Sequence, residues 1–212
     1  MKTIGKTYFW VLQPSSKHMN NYIKLIYISL FFSCSYAIDA QVYITNPSLE
    51  DAPADATMPS GWFAASKGTT PDILPGYWGV YIEPENGNSY AGLITRTDGS
   101  YESIGQRLEN TLEENSCYEM ALFLSHSDNY TGYNGAIKLR VWISNKKKSR
   151  KQMIFESPLI DDEEWKPFNF NFYPERDMKY IILEAYNPDK SKNNKGNILI
   201  DGLSNPTICN RV

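Results

Sequence analysis

Two short segments carry the side chains best suited to grip a polar ligand. Lys138-Leu139-Arg140-Val141-Trp142 offers Arg140 and Trp142, and Leu183-Glu184-Ala185-Tyr186 offers Glu184 and Tyr186. In extended chain, residues i and i+2 share a face, so each pair points one way. A guanidinium and a carboxylate supply directional hydrogen bonds, and flat aromatic rings supply apolar planes for sugar rings. Glu156 is a further carboxylate inside an apolar segment, where an unpaired charge is costly to bury. Arg140 could pair with Glu156 or with Glu184. Such a pair is either a structural ion pair or part of a concave ligand-gripping face with Trp142 and Tyr186. Trp62, Tyr77 and Trp78 form a second aromatic group on a long loop. They either bind ligand or plug the end of the fold, since large aromatics usually end up mostly buried.

Catalytic chemistry finds less support. Beyond residue 40 the only histidine is His126, in Leu124-Ser125-His126-Ser127-Asp128. A nucleophile–base pair needs Ser and His within hydrogen-bond reach, but on a strand Ser125 and Ser127 point away from His126. No Gly-x-Ser-x-Gly turn occurs. A glycosidase needs two carboxylates about 5–9.5 Å apart, and no such pair can be named. No Cys-x-x-Cys or Cys/His spacing suggests zinc or redox work. The expectation is a protein with no catalytic residues.

The elements that position these residues read as strands. Hydrophobicity alternates over Tyr118 to Ser127, Ile137 to Ile143 and Tyr180 to Asn187, broken every ten or so residues by Gly, Pro, Asn and Asp. Further strands are expected at Val42–Ile44, Ser89–Ile94, Glu102–Leu108, Gln152–Glu156, Trp165–Tyr173 and Asn197–Leu203. Residues 51–79 are loop-like and rich in Pro, Gly and small residues, yet their aromatics argue against disorder. Sustained 3.6-residue periodicity is missing, so helices should be few. The fold class is all-β, a two-sheet sandwich in one domain over residues 41–212.

The start of the chain reads as a leader and signal peptide over residues 1–40. A basic stretch ending at Lys24 precedes the apolar run Leu25–Cys34, which is shorter than the roughly 20 residues a membrane span requires. Ala40 offers the cleavage point, and Met19 is a candidate true initiator. Phe31-Phe32-Ser33 is a poor lipidation motif for Cys34, so ordinary cleavage and export are expected. The net charge is −3, and the leader takes four lysines and one aspartate with it. The remainder is therefore more acidic, and nucleic acid is not an expected partner. The run Lys146-Lys147-Lys148-Ser149-Arg150-Lys151 is read as a solvated hairpin tip, with an anionic glycan or membrane surface as the alternative. Cys117 and Cys209 remain as an even pair in an exported chain and are expected to form a disulfide. It would close a loop of about 90 residues and add up to about 4–5 kcal/mol in the chain-entropy treatment.

An ordered set of stretches carries a family resemblance. It includes Asn46-Pro47-Ser48-Leu49-Glu50, Pro59-Ser60-Gly61-Trp62, Pro75-Gly76-Tyr77-Trp78-Gly79-Val80, Glu102-Ser103-Ile104-Gly105-Gln106, Cys117-Tyr118, Glu156-Ser157-Pro158 and Gly196-Asn197-Ile198-Leu199-Ile200-Asp201. Together they resemble exported domains of Bacteroidetes bacteria that often stand N-terminal to gliding-motility-associated or cell-surface modules. That resemblance implies a galactose-binding-like jelly roll, as in many carbohydrate-binding modules. It also implies a structural Ca2+ between the first and last strands, with Glu50 and Asp201 as side-chain ligands. The chain departs from the pattern where a second cysteine pair is common: Phe63-Ala64-Ala65 and the basic run stand there instead. The function so implied is that of a non-catalytic exported binding domain for a glycan or cell-surface ligand. The alternative is a structural or adhesion module that contacts protein.

Overall fold

Alternating segments that bury one side chain in two must stack sheet on sheet, and here they do. The computed structural model describes residues 41–189 and 195–209, so the leader and signal-peptide reading of residues 1–40 lies outside the described residues. The strands are β1 (Phe63–Ala64), β2 (Asp72–Leu74), β3 (Tyr90–Thr95), β4 (Ser103–Leu112), β5 (Tyr118–Ser125) and β6 (Gly135–Ala136). They continue with β7 (Lys138–Ser144), β8 (Gln152–Glu156), β9 (Lys166–Phe172), β10 (Met178–Tyr186), β11 (Gly196–Asp201) and β12 (Thr207–Ile208). No helix occurs among the described residues.

One sheet runs β1-β4-β10-β7-β8, and the other runs β12-β5-β11-β3-β2, with β9 added on β5 and β6 on β11. All pairings between named strands are antiparallel except that of β6 with β11. This is the all-β sandwich expected from the pattern, in the jelly-roll form that the resemblance implies. Inner faces supply Ile104, Leu139, Val141, Ile181 and Leu183 from one sheet, and Leu93, Leu122, Leu124, Ile198 and Ile200 from the other. The outer face of the larger sheet is covered as well. Tyr90, Ile94 and Leu199 pack there against Leu74, Val80 and Tyr130, residues outside the two strands that bear them. That second cluster explains why β3 and β11 are buried along their whole length.

Two expectations change. Val42–Ile44 is not a strand: Val42 and Ile44 are buried in the core, but the segment is held by single bonds. Ile44 N donates to Asn205 Oδ1 at 2.8 Å, and Tyr43 O accepts from Glu109 N at 3.1 Å. Residues 51–79 contain β1 and β2, which are too short to show any alternation. Their loop is tied down by buried Asp72, which accepts from the Tyr130 hydroxyl and from Ala56 N at 2.8 Å.

Cys117 and Cys209 form the expected disulfide, with Cα atoms 5.4 Å apart. Beside it Cys209 N donates to Cys117 O at 3.0 Å, and β12 pairs with the start of β5. Replacing both cysteines by alanine is predicted to lower unfolding stability by up to about 4–5 kcal/mol. Urea denaturation of the variant and the parent, monitored by tryptophan fluorescence, checks this.

Candidate ligand-binding face

Strand register brings residues far apart in sequence into rows across the outer face of the five-stranded sheet. Glu184 lies opposite Ser103 on one side and Arg140 on the other, and Arg140 lies opposite Glu156. The result is a polar row, Ser103–Glu184–Arg140–Glu156, spanning four strands. Directly opposed side chains in a sheet are close enough to interact. The next row is apolar: Phe63, Gly105, Ile182, Trp142 and Met153. Gly105 has a reason to be glycine, because a Cβ there would stand 3.0 Å from the Phe63 ring.

Arg140, which had two carboxylates within reach, takes Glu156. Its Nε donates to Glu156 Oε2 at 2.8 Å, and Lys138 Nζ reaches the same carboxylate at 2.8 Å. Hydrogen bonds from Lys138 and then Arg140 hold Glu156 below the usual carboxylate range. The Arg140 guanidinium carbon lies 3.2 Å from the centre of the Tyr186 ring, a cation–π stack. Glu184 instead pairs with Arg150, whose Nη2 also donates to Ser103 Oγ at 2.8 Å.

Arg150 comes from the basic run, so the reading of that run as a solvated tip is corrected in part. The run does connect β7 and β8, but Lys147 Nζ stands 4.6 Å from the Phe63 ring centre. Phe63 is on β1, with β4 and β10 between it and β7. Three inter-strand steps of about 4.8 Å make roughly 14 Å, farther than a lysine side chain reaches. The loop therefore folds back over the sheet. It brings together the two places where the family resemblance leads one to expect a cysteine pair. Beneath it Ile182 is fully buried although it faces outward, and the Trp142 indole N–H is buried with no hydrogen-bond partner among the described residues.

Where the loop does not reach, the face opens into a groove of about 680 Å3. Arg140, Glu184 and Tyr186 line it, with Asp98, Ser100 and Tyr101 from the β3–β4 connection opposite them. Of the ligand-binding candidates read from the sequence, Arg140, Glu184 and Tyr186 thus converge, and Trp142 lies one row away. Arg150, Ser103 and Tyr101 were not singled out. Arg150 had one signal: it is the lone arginine in a lysine run, and arginine is the residue suited to a forked, desolvated pair.

The second aromatic group separates. Trp62 is 7% exposed, belongs to the main core and donates its indole N–H to Asn46 O at 3.1 Å, so it plugs the sandwich. Tyr77 and Trp78 remain 40% and 42% exposed. Trp78 sits at φ 54° and is pinned there, its carbonyl accepting from Thr131 N and its indole donating to Asp55 Oδ1 at 2.9 Å. His126 is buried, with Nδ1 3.3 Å from Asn197 O.

Glu50 and Asp201 meet at the loop around Gly87. Glu50 accepts from Asn88 N at 3.0 Å and from Ser89 Oγ at 3.3 Å, and Asp201 accepts from Asn86 N at 2.9 Å. A Cβ on Gly87 would strike Glu50 Oε1, and the residue sits at φ 69°, so the close approach of this loop to that carboxylate favours glycine. Burial, and then the nearby Glu50 charge, push the Asp201 carboxyl up to about 6. Among the described residues no group of three or more acidic, histidine or cysteine side chains gathers to hold a metal.

The sequence matches no family model and no curated protein. The fold does have solved counterparts. An arabinose-bound α-L-arabinofuranosidase, MgGH51, superposes with a TM-score of 0.53 at 10% identity, over 78% of this chain and 26% of that one. This chain thus spans about a quarter of that enzyme. Two further structures lie nearby. The K1 cleaved adhesin domain of Lys-gingipain from Porphyromonas gingivalis W83 has a TM-score of 0.49 and 10% identity, over 76% of this chain and 100% of that one. The CBM22-1 xylan-binding domain from Paenibacillus barcinonensis Xyn10C has a TM-score of 0.48 and 13% identity, over 77% and 99%. At 10% identity the likeness to the arabinofuranosidase is one of fold.

Arg150→Ala would leave the Glu184 carboxylate, 6% exposed, without its cation. The variant is predicted to lose about 3 kcal/mol of stability, because a buried charge stripped of its partner is strongly destabilising. Adding Glu184→Gln should recover most of that loss. Chemical denaturation of the single and double variants measures both.

Proposed function

We propose that this chain is a non-catalytic, exported binding domain that takes a glycan or a cell-surface ligand on the open end of its five-stranded sheet. The observation that carries the reading is the convergence of Arg140, Glu184 and Tyr186 in one groove of about 680 Å3. Rings of Tyr186 and Tyr101 supply apolar surface, while Ser100 and the Arg140 guanidinium supply hydrogen bonds to hydroxyls. A binding role is also supported by the state of the two carboxylates on the face. Glu156 and Glu184, the carboxylates of the polar row, are each paired with an arginine, Arg140 and Arg150 respectively. The disulfide fits an oxidising compartment, and no helix among the described residues is long and apolar enough to cross a membrane. The resemblance to exported Bacteroidetes domains supports display at, or release from, a cell surface. Tyr186→Ala is predicted to weaken retention by a bound glycan at least about tenfold, or about 1.4 kcal/mol, with the melting temperature little changed. The test is a glycan array on the purified protein, followed by affinity electrophoresis with any hit. If no glycan is retained, the sugar reading fails.

A second reading has its own observation. Trp78 and Tyr77 are exposed on a loop held in a left-handed backbone conformation, which a bulky residue adopts only when its surroundings enforce it. A rigid aromatic platform of that kind suits a protein contact in an adhesion module. Loss of partner binding on Trp78→Ala, with glycan retention intact, would favour it.

We further propose that Ca2+ binds at Glu50 and Asp201. Two neighbouring carboxylates, one of them pushed up by burial and by the other's charge, form an anionic pair that a cation would neutralise. Both would be side-chain ligands, and carbonyl and water oxygens would complete the shell that calcium needs. Without calcium, folded Asp201 holds its proton up to about pH 6, whereas unfolded it releases it near pH 4. Stability should therefore fall as pH rises from about 4 to about 6, and Asp201→Asn should flatten that slope. Added calcium should raise the melting temperature at pH 7 and not at pH 4. A melting temperature indifferent to both chelator and calcium at pH 7 would count against the ion.

A further inference from the structure

The outer face of the five-stranded sheet differs in charge from the rest of the molecule. The whole chain has a net charge of −3. On this face Lys138 and Arg140 project from β7 and Arg107 from β4, in register with the outward-facing Tyr180. The folded-back loop adds the five cations of residues 146–151. Against these stand Glu156 and Glu184, both already paired, exposed Glu109 at the far end of β4, and Asp98 and Asp189 at the groove. Cations outnumber anions on this face of a net acidic protein. Such a local field selects ligands by sign and hastens their capture.

Arg140 gives the field a direction. Its Nε is committed to Glu156 and its plane to the Tyr186 ring, which fixes the guanidinium in place. Its two terminal nitrogens make no hydrogen bond among the described residues, although the side chain lines the groove. A guanidinium held by its Nε and its plane, with terminal nitrogens that make no hydrogen bond among the described residues, matches the two oxygens of a carboxylate or sulfate group. Lys146 and Lys148 are exposed on the loop that lies over the adjoining stretch of sheet, so the positive surface continues away from the groove. A neutral sugar would leave those N–H groups and that field unused.

We infer that the ligand of this face is an anionic polysaccharide, one of whose carboxylate or sulfate groups is read by Arg140 while neighbouring charges meet the loop lysines. This rests on the reading of the groove as a glycan site and adds the chemical class of the glycan. An extended chain with periodic charge suits a groove that opens beside a basic loop. Tyr186 and Tyr101 beside the guanidinium suit sugar rings better than a lipid headgroup or a duplex.

The test is affinity electrophoresis of the purified protein in gels containing polygalacturonate, alginate or chondroitin sulfate. Gels with fully methyl-esterified polygalacturonan, xylan or laminarin serve as neutral counterparts. The expected result is retardation by at least one anionic polymer, abolished by about 0.5 M salt as counterion screening requires. Arg140→Gln should weaken that retardation at least about tenfold. So should the combined Lys146→Ser, Lys147→Ser and Lys148→Ser variant, which alters exposed residues and keeps the fold testable if Arg140→Gln does not fold. Retardation by the neutral polymers alone, or equally by esterified and free polygalacturonate, would overturn the inference and leave the glycan reading intact. Retention by no polysaccharide at all would overturn both. Equal affinity for duplex DNA or phosphatidylserine vesicles would reduce the face to a general polyanion surface and overturn the inference.

Discussion

Glu184 stands on the central strand of the five-stranded sheet with its side chain 6% exposed, and a charge in that position must be answered. Arg150 answers it, and the consequence spreads through the sheet's outer face. To bring its guanidinium to Glu184 and Ser103, the β7–β8 connection folds back across strands it could otherwise have left bare. Lys147 then reaches Phe63 on the far edge strand, and Ile182 and the Trp142 indole N–H are covered. Arg140, relieved of Glu184, turns to Glu156 and stacks on Tyr186. One ion pair thus decides which part of the sheet is roofed and which part remains a groove.

The other sheet makes the same point by contrast. Its outer face is occupied by the protein's own loops, through Leu74, Val80 and Tyr130 packed on Tyr90, Ile94 and Leu199. The long Gly- and Pro-rich stretch before β3 is therefore structural over much of its length. It ends in an exposed aromatic turn at Tyr77 and Trp78. Of the two broad faces a sandwich presents, the five-stranded one is left with an open, polar surface.

The strands were legible because alternation and turn residues act locally. Lys138–Ser144 and Met178–Tyr186 fall close to where the pattern puts them. Val42–Ile44 has the same composition as a strand, yet only tertiary context decides whether a ladder forms beside it. Site residues on one strand were legible for the same reason: Arg140 and Trp142 share a face by period alone. Register was not legible, because it depends on which strands become neighbours. Arg140 stands opposite both Glu156 and Glu184, and only the position of Arg150 resolves which carboxylate it keeps. Trp62 and Trp78 read alike as loop aromatics. One is drawn into the main core, which also holds Val42 and Ile44, and the other is held outward by Asp55 and Thr131.

Ligand binding on the five-stranded face, at the open end left by the β7–β8 loop, is the central claim. A crystal structure of the protein soaked with an oligosaccharide taken from a retained polymer tests it most directly. The predicted result is density in the groove between Tyr101 and Tyr186, with an acidic group of the sugar on the Arg140 terminal nitrogens. Density seated on the Trp78 loop or on the seven-stranded sheet, with the groove empty, would contradict it.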